Sequence, residues 1–249
     1  MPRFFVENNQ ISDGYVTITS DDAHHISRSL RMAAGEKIVV CDKEENQYEC
    51  VLENFGDGYV KAKIIESSIS VSEMPVRIHL YQALPKGEKL DFIIQKAVEC
   101  GAYDIIPFES ERCVVKVKSD AEVRKTERRN KISLEAAKQC GRTIIPIVYE
   151  TISFTQMLHN AKKSDLTLFC YEGEGVEQMG KVLKEYRTVN SHISDISIII
   201  GSEGGFSNRE VQTAIENGFL ATGLGKRILR AETAAILALS SLVYEFELS

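Results

Sequence analysis

Over the first seventy residues, apolar side chains come in short runs or at alternate positions. Tyr15–Thr19 and Lys37–Cys41 are rich in branched side chains, and residues 48–52 and 59–65 partly alternate apolar with polar. Gly14, Gly35, Gly56 and Gly58 punctuate these runs, which predicts short strands of a small barrel. A short helix is expected over 24–32, and the polar stretch 67–75 reads as a linker ending at Pro75.

Beyond Pro75 the pattern becomes an alternation of strand and helix. Residues 78–81 form a strand candidate. Leu90, Ile93, Ile94, Ala97 and Val98 follow at helical spacing, with Gly101 where a C-terminal cap belongs. Next come a strand near Ile105 and Ile106, a charged helix over 121–140, strands at 143–145 and 166–170, and a helix over 176–186. Residues 196–200 are almost wholly apolar, as in the centre of a parallel sheet. A short strand over 219–224 precedes a last helix over 232–246. That helix is apolar nearly all round, so it is buried or packs against a second subunit. The fold class read from this order is α/β, with a small β-rich domain over 1–72 and a larger α/β domain over 73–249.

Composition narrows the picture. The chain has 249 residues, 43% hydrophobic and 27% charged, which suits a globular protein with a substantial core. A net charge of −6 excludes a simple polycation but leaves room for a local basic face. Six cysteines without a C-x-x-C pair suggest a reducing cytoplasm, with no disulfide frame and no zinc site. His24-His25 lacks a third ligand at usable spacing, so no metal is expected. No apolar run has membrane-spanning length, and no membrane partner is expected.

Two glycine-containing turns carry the candidate chemistry. The first, Gly201-Ser202-Glu203-Gly204-Gly205-Phe206, follows the apolar strand, and Ser207 and Glu210 stand at capping-box spacing after it. Ligands of open α/β sheets sit at such strand ends. The second, Leu224-Gly225-Lys226-Arg227-Ile228-Leu229-Arg230, leads into the last helix, with Glu232 and Thr233 in its first turn. Each also reads as an ordinary capped turn. The dinucleotide and P-loop fingerprints are both absent. A ligand held by backbone groups, with apolar side chains around a flat ring, fits better; S-adenosylmethionine is such a ligand.

Over essentially its whole length the sequence resembles the bacterial 16S rRNA (uracil-1498-N3)-methyltransferases. The resemblance rests on Met1-Pro2-Arg3-Phe4-Phe5-Val6; His24-His25-Ile26 with Leu30-Arg31 and Gly35-Glu36; and Gln82-Ala83-Leu84-Pro85-Lys86-Gly87. It continues through Gln95-Lys96-Ala97, Pro107 with Glu109-Ser110-Glu111-Arg112, Glu135 to Arg142, and both glycine turns. The chain departs from the family pattern at Ser202 (usually proline), Ala231 (usually threonine) and Cys100 (usually leucine). A serine at 202 leaves the turn less restrained than proline would.

The resemblance implies a PUA-like β-barrel followed by an α/β domain of the SPOUT class with a C-terminal trefoil knot. It implies a homodimer acting on 16S rRNA of the small ribosomal subunit. S-adenosylmethionine would lie at the ends of segments 168–172, 200–205 and 224–233, among Leu168, Tyr171, Ile200, Gly201, Glu203, Gly204, Gly205, Leu224, Gly225, Ile228, Leu229 and Thr233. Arg230 is the candidate for stabilising the uracil anion, with Glu203 and Glu232 as candidate bases. Arg3, Arg28, Arg31, Arg112 and Arg142 are the candidate RNA contacts, within a basic middle segment that includes Lys116, Lys118 and 124–131. A ribose 2′-hydroxyl acceptor, or a non-enzymatic assembly factor with a dead pocket, are the alternatives.

Overall fold

The computed structural model describes residues 1–42, 44–69, 72–116, 119–173, 176–190 and 192–249, with only the backbone considered at 119–121. Ser70 and Val71 of the expected linker, and Lys118 of the basic segment, lie outside these residues. The chain divides into two units, Met1–Glu73 with Ala137–Ile145, and Met74–Ala136 with Pro146–Ser249.

The first unit is built on strands β1 (Arg3–Phe5), β2 (Ile11–Ser12), β3 (Tyr15–Thr19), β4 (Lys37–Cys41), β5 (Asn46–Gly56) and β6 (Tyr59–Ile69). They form one sheet in the order β1-β4-β5-β6-β3-β2. All neighbours are antiparallel except β1 and β4. The period of two places Val16, Ile18, Ile38, Val40, Cys50, Leu52, Val60 and Ala62 in one buried cluster. Residues 67–69 belong to β6, not to a linker, because they pair with Asn46, Gln47 and Tyr48 of β5. The helix expected over 24–32 starts earlier, as α1 (Ser20–His24), and continues as a π turn over His25–Ser29. Asp21 and Asp22 suit its positive amino end, and Arg31, with φ of 53°, stops it.

Glu73 explains why residues 137–145 join this unit. Its carboxylate accepts hydrogen bonds from Arg142 Nε (3.0 Å) and Nη2 (2.6 Å) and from the amides of Thr143 (3.0 Å) and Ile144 (3.3 Å). Burial pushes the Glu73 carboxyl up, but these bonds and the Arg142 charge together hold it below the ordinary carboxylate range. The amides of 143–144 are thus spent on a side chain, and the strand expected there is absent. Its place is taken by Ile147–Val148, which pairs with the second unit's sheet.

That sheet belongs to a strand–helix alternation. The elements are β7 (Arg77–Ala83), α2 (Lys89–Glu99), β8 (Asp104–Glu109), α3 (Ser119–Cys140), β9 (Ile147–Val148), β10 (Ile152–Ser153), α4 (Phe154–Ala161) and β11 (Leu166–Cys170). They continue with β12 (Glu177–Gln178), α5 (Met179–Val189), β13 (Asp195–Ile200), α6 (Asn208–Glu216), β14 (Leu220–Gly223) and α7 (Ala231–Val243). The strand order is β10-β8-β7-β13-β11-β14-β12, with β9 also on β8. Every pairing is parallel. β13 lies between β7 and β11, so its apolar run 196–200 is buried on both faces. Gly101, at φ of 79°, closes α2: its amide donates to Val98 O and that of Ala102 to Ala97 O, a Schellman cap.

Two elements depart from the sequence expectation. Helix α4 was not anticipated, although Ser153 and Gln156 form a reciprocal capping box at its start. Helix α5 begins at Met179 and not at Val176, because Glu177 and Gln178 pair with β14. The last helix buries Ala235, Ala238, Leu239 and Leu242, while Leu237 and Tyr244 are exposed.

Candidate active site

The carboxyl ends of β13, β11 and β14 surround a cavity of about 310 Å³. Its walls come from the two glycine turns, from 170–172 after β11, and from Arg112 after β8. Adjacent parallel strands all aim their carboxyl ends at this crevice, the position where open α/β sheets bind ligands.

The first turn is fastened on all sides. Gly205, at φ of 62°, closes it with an amide bond to Ser202 O (2.9 Å). The expected capping box then opens α6: Ser207 Oγ accepts from the Glu210 amide, and Glu210 Oε2 accepts from the Ser207 amide (2.9 Å). Buried Glu210 also accepts the Glu111 amide (2.8 Å), while Ser207 Oγ donates to Glu111 (2.7 Å). These bonds hold the 109–112 segment against the turn. Arg112 Nη1 donates to Gly204 O (3.1 Å) there. A Cβ on Gly204 would lie 3.0 Å from Arg112 Cβ and 3.2 Å from its carbonyl oxygen, so this glycine makes room for Arg112. From below, Gln82 Nε2 donates to Gly201 O (3.2 Å), and Phe206 packs on Phe169 with ring centres 4.3 Å apart.

Glu203 is equally committed. Its carboxylate accepts from the Lys86 amide (3.2 Å) and from Lys89 Nζ (2.8 Å). Burial acts to raise its pKa, but the Lys89 hydrogen bond, the backbone amides of Glu203 and Lys86, and the Lys89 charge outweigh it and hold Glu203 below the ordinary value. Lys89 Nζ also lies 3.5 Å from Glu232 Oε2, a buried atom with no hydrogen-bond partner among the described residues. One ammonium therefore stands between the first turn and the start of α7.

The second turn is held at its base and free at its crest. The Gly225 amide, at φ of 103°, donates to Gln178 Oε1 (2.8 Å), and the Leu229 amide donates to Glu172 Oε1 (3.2 Å). Between these anchors Ile228 is 90% exposed. Arg230 is exposed, and its guanidinium makes no hydrogen bond or ion pair among the described residues.

Of the expected ligand-binding residues, Tyr171, Ile200, Gly201, Glu203, Gly204, Gly205, Leu224, Ile228 and Leu229 line the cavity together. Leu168 does not: it is fully buried within the sheet, two residues before the strand end. Gly225, Thr233, Arg230 and Glu232 flank the cavity in sequence without forming its wall. Glu172, Ser202, Phe206 and Arg112 do form it: Glu172 and Ser202 lie within the expected segments 168–172 and 200–205, Phe206 just beyond them, and Arg112 was expected on RNA. Ser202 and Phe206 were within reach as members of the first turn, whereas nothing in sequence periodicity marks Glu172. Cys170 also lines the cavity, and burial pushes its thiol up to about 12, so it stays protonated.

The arginines expected to meet RNA separate into two kinds. Arg28 and Arg31 are exposed, and Arg28 lines a shallow hollow with His24 and His25. Arg3 is half-buried, with Nη1 2.8 Å from Cys41 Sγ. Arg142 is 5% exposed and bound to Glu73, so it braces its own unit instead of facing a ligand. In the basic segment, Arg129 is likewise buried on Glu122 (2.9 Å).

Similarity to other proteins agrees with this geometry. Residues 72–243 match the RNA methyltransferase domain and residues 18–65 the RNA methyltransferase PUA domain. The chain is 36% identical to the ribosomal RNA small subunit methyltransferase E of Bacillus subtilis (strain 168), over 100% of this chain and 98% of that one. It is 33% identical to the protein of the same name from Mesomycoplasma hyopneumoniae (strain 232), over 98% and 99%. A crystal structure of a ribosomal RNA small subunit methyltransferase E from Neisseria gonorrhoeae bound to S-adenosyl methionine superposes with a TM-score of 0.85, at 29% identity, covering 99% of this chain and 98% of that one. The chain therefore belongs to the RNA methyltransferase family that includes the ribosomal RNA small subunit methyltransferases E.

Proposed function

We propose that this chain transfers a methyl group from S-adenosylmethionine to N3 of one uridine in 16S rRNA of the small ribosomal subunit. The observation that carries this reading is the cavity at three parallel strand ends, rimmed by two glycine turns, in a chain of the RNA methyltransferase family. Its size, about 310 Å³, falls at the lower end of the roughly 300–1,000 Å³ typical of ligand pockets. Ile200, Phe206, Leu224, Ile228 and Leu229 offer apolar contact to a flat ring, and the turn backbones offer polar groups around it. These residues suit S-adenosylmethionine, which when bound supplies a methyl group activated by its sulfonium.

The rest is the work of the chain. Uracil N3 carries a proton at neutral pH and must lose it as it attacks. Arg230, with an uncommitted guanidinium beside the cavity, is assigned to the developing negative charge on a uracil carbonyl. Glu203, held below its ordinary pKa and bonded to the Lys86 amide and Lys89, is assigned to fixing the first turn, which leaves Glu232 as the proton acceptor. Positioning by the rigid turn adds to this, because alignment of reacting atoms lowers barriers by roughly 7–11 kcal/mol.

In this reading residues 1–72 form a closed PUA-like barrel that meets RNA through Arg3, Arg28 and Arg31, and 73–249 the methyl-transfer domain. A trefoil knot through the two turns is supported by β13 lying between the earlier strands β7 and β11, with β14 on the far side of β11. A homodimer is supported by the exposed Leu237 and Tyr244 along α7 and its extension. The substrate places the enzyme in the cytoplasm.

The test is methyl transfer from labelled S-adenosylmethionine to small subunits lacking the modification, followed by nucleoside mass spectrometry. The expected product is 3-methyluridine. Ribose-methylated nucleoside would overturn the acceptor, and no transfer at all would overturn the enzymatic reading.

A further inference from the structure

Four side-chain polar atoms among the described residues are buried without a hydrogen-bond partner: Gln82 Oε1, Thr126 Oγ1, Ser202 Oγ and Glu232 Oε2. Only Ser202 belongs to the wall of the cavity. The residue is 8% exposed. Its backbone is held by the Gly205 amide, which fixes the direction of its Cβ and leaves rotation about χ1 to bring the hydroxyl to the cavity. Three charged side chains of the same wall are already engaged: Arg112 on Gly204 O, Glu172 on the Leu229 amide, Glu203 on Lys86 and Lys89. A buried hydroxyl left unpaired is costly, and native proteins rarely keep one without a use.

We propose that Ser202 is a cofactor-binding residue whose hydroxyl forms a hydrogen bond to a polar atom of S-adenosylmethionine. The inference rests on the function proposed above. A proline, the residue that the family resemblance places at this position, has no hydroxyl and would make no such bond. Among the described residues the hydroxyl has no partner, and a polar atom of a ligand in the cavity would supply one. This distinguishes a ligand contact from a structural one, because the two roles move the stability of the ligand-free protein in opposite directions.

The experiment compares the full-length wild type with Ser202→Ala by calorimetry with S-adenosylmethionine and by thermal melting with and without it. Ser202→Ala is expected to bind about three- to tenfold more weakly, the worth of one ordinary net hydrogen bond. Without cofactor it is expected to melt no lower than wild type, and with saturating cofactor to gain less. Equal affinities in the two proteins would overturn the role of Ser202 while leaving the cofactor reading intact. A lower melting temperature of the ligand-free variant would show a structural partner for the hydroxyl and overturn the inference. Absence of binding heat in the wild type would overturn the cofactor reading itself.

Discussion

The two glycine turns share a cavity but are built on opposite plans. In the first, side chains fasten the backbone from three directions: Glu210 and Glu111 at the helix start, Arg112 on the carbonyl of Gly204, Gln82 beneath Gly201. In the second, two side-chain oxygens, one from the Glu172 carboxylate and one from the Gln178 amide, hold the base, while Ile228 is exposed and the Arg230 guanidinium has no partner among the described residues. The difference suits a division of labour. A wall that orients a reactant gains from having one conformation, whereas a group that meets developing charge must not already be neutralised by a neighbour.

Substitutions can break this contrast. The largest expected effect is on the free side. Arg230→Ala should lower the rate of methyl transfer by about 10²–10³-fold, the usual loss on removing one stabiliser of transition-state charge. Calorimetry should find cofactor affinity within about twofold of wild type, since the interaction belongs to the transition state. Unchanged turnover would show that the charge is stabilised elsewhere.

On the fastened side, Glu210→Ala strands the buried amide of Ser207 and frees the amide of Glu111. It should cost about 1–3 kcal/mol of stability in urea unfolding, with weaker cofactor binding as the first turn loosens. Gly225→Ala tests the second turn at its base. Its φ of 103° is unfavourable for any residue with a Cβ, although a Cβ there would meet no atom within 4 Å. A loss of about 1–2 kcal/mol is expected from backbone strain alone. A neutral result in either variant would mean that the turn can be built another way.

The smallest effect probes the ammonium that serves both turns. Lys89→Met should cost the least stability of these variants, because Lys89 and Glu203 remain partly in water. Its pH dependence is more telling. Glu203 is held below its ordinary 4.5, so its share of stability is present above that value and lost as pH falls through the lowered one. Lys89 is held above its ordinary 10.5, chiefly by its hydrogen bond to Glu203, so its share is present below that value and lost as pH rises through the raised one. The stability difference between wild type and Lys89→Met should therefore be level from about pH 5 to pH 10 and shrink at both extremes. A difference that does not depend on pH would assign the effect to the lysine stem and not to its charge.

Much of the sheet was legible because buried strands announce themselves by composition. The run 196–200 reads as a central strand, and it is one, between β7 and β11. The capping box at Ser207 and the cap at Gly101 were likewise visible, since each depends on residues within one turn of the chain. What escaped depends on distant partners. Thr143 and Ile144 look like strand residues until the Glu73 carboxylate takes their amides. Arg142 looks like an RNA contact until the same carboxylate claims its guanidinium. Glu172 and Gln178 steady the second turn, the one from a segment with no periodicity of its own and the other from a position that reads as the start of a helix. Local pattern identifies the parts that fold by themselves, and long-range polar bonds decide where the remaining charges are spent.

The carboxylate of Glu73 also limits how the protein can be dissected. Its partners arrive sixty-nine to seventy-one positions later, at the far end of a 22-residue helix. An amino-terminal fragment ending at residue 73 would retain the acid and discard its guanidinium and amides, leaving an interior anion with no counterpart. Whatever binds to the six-stranded sheet is therefore best assayed on intact protein, since a shortened piece would begin life with its own fault line.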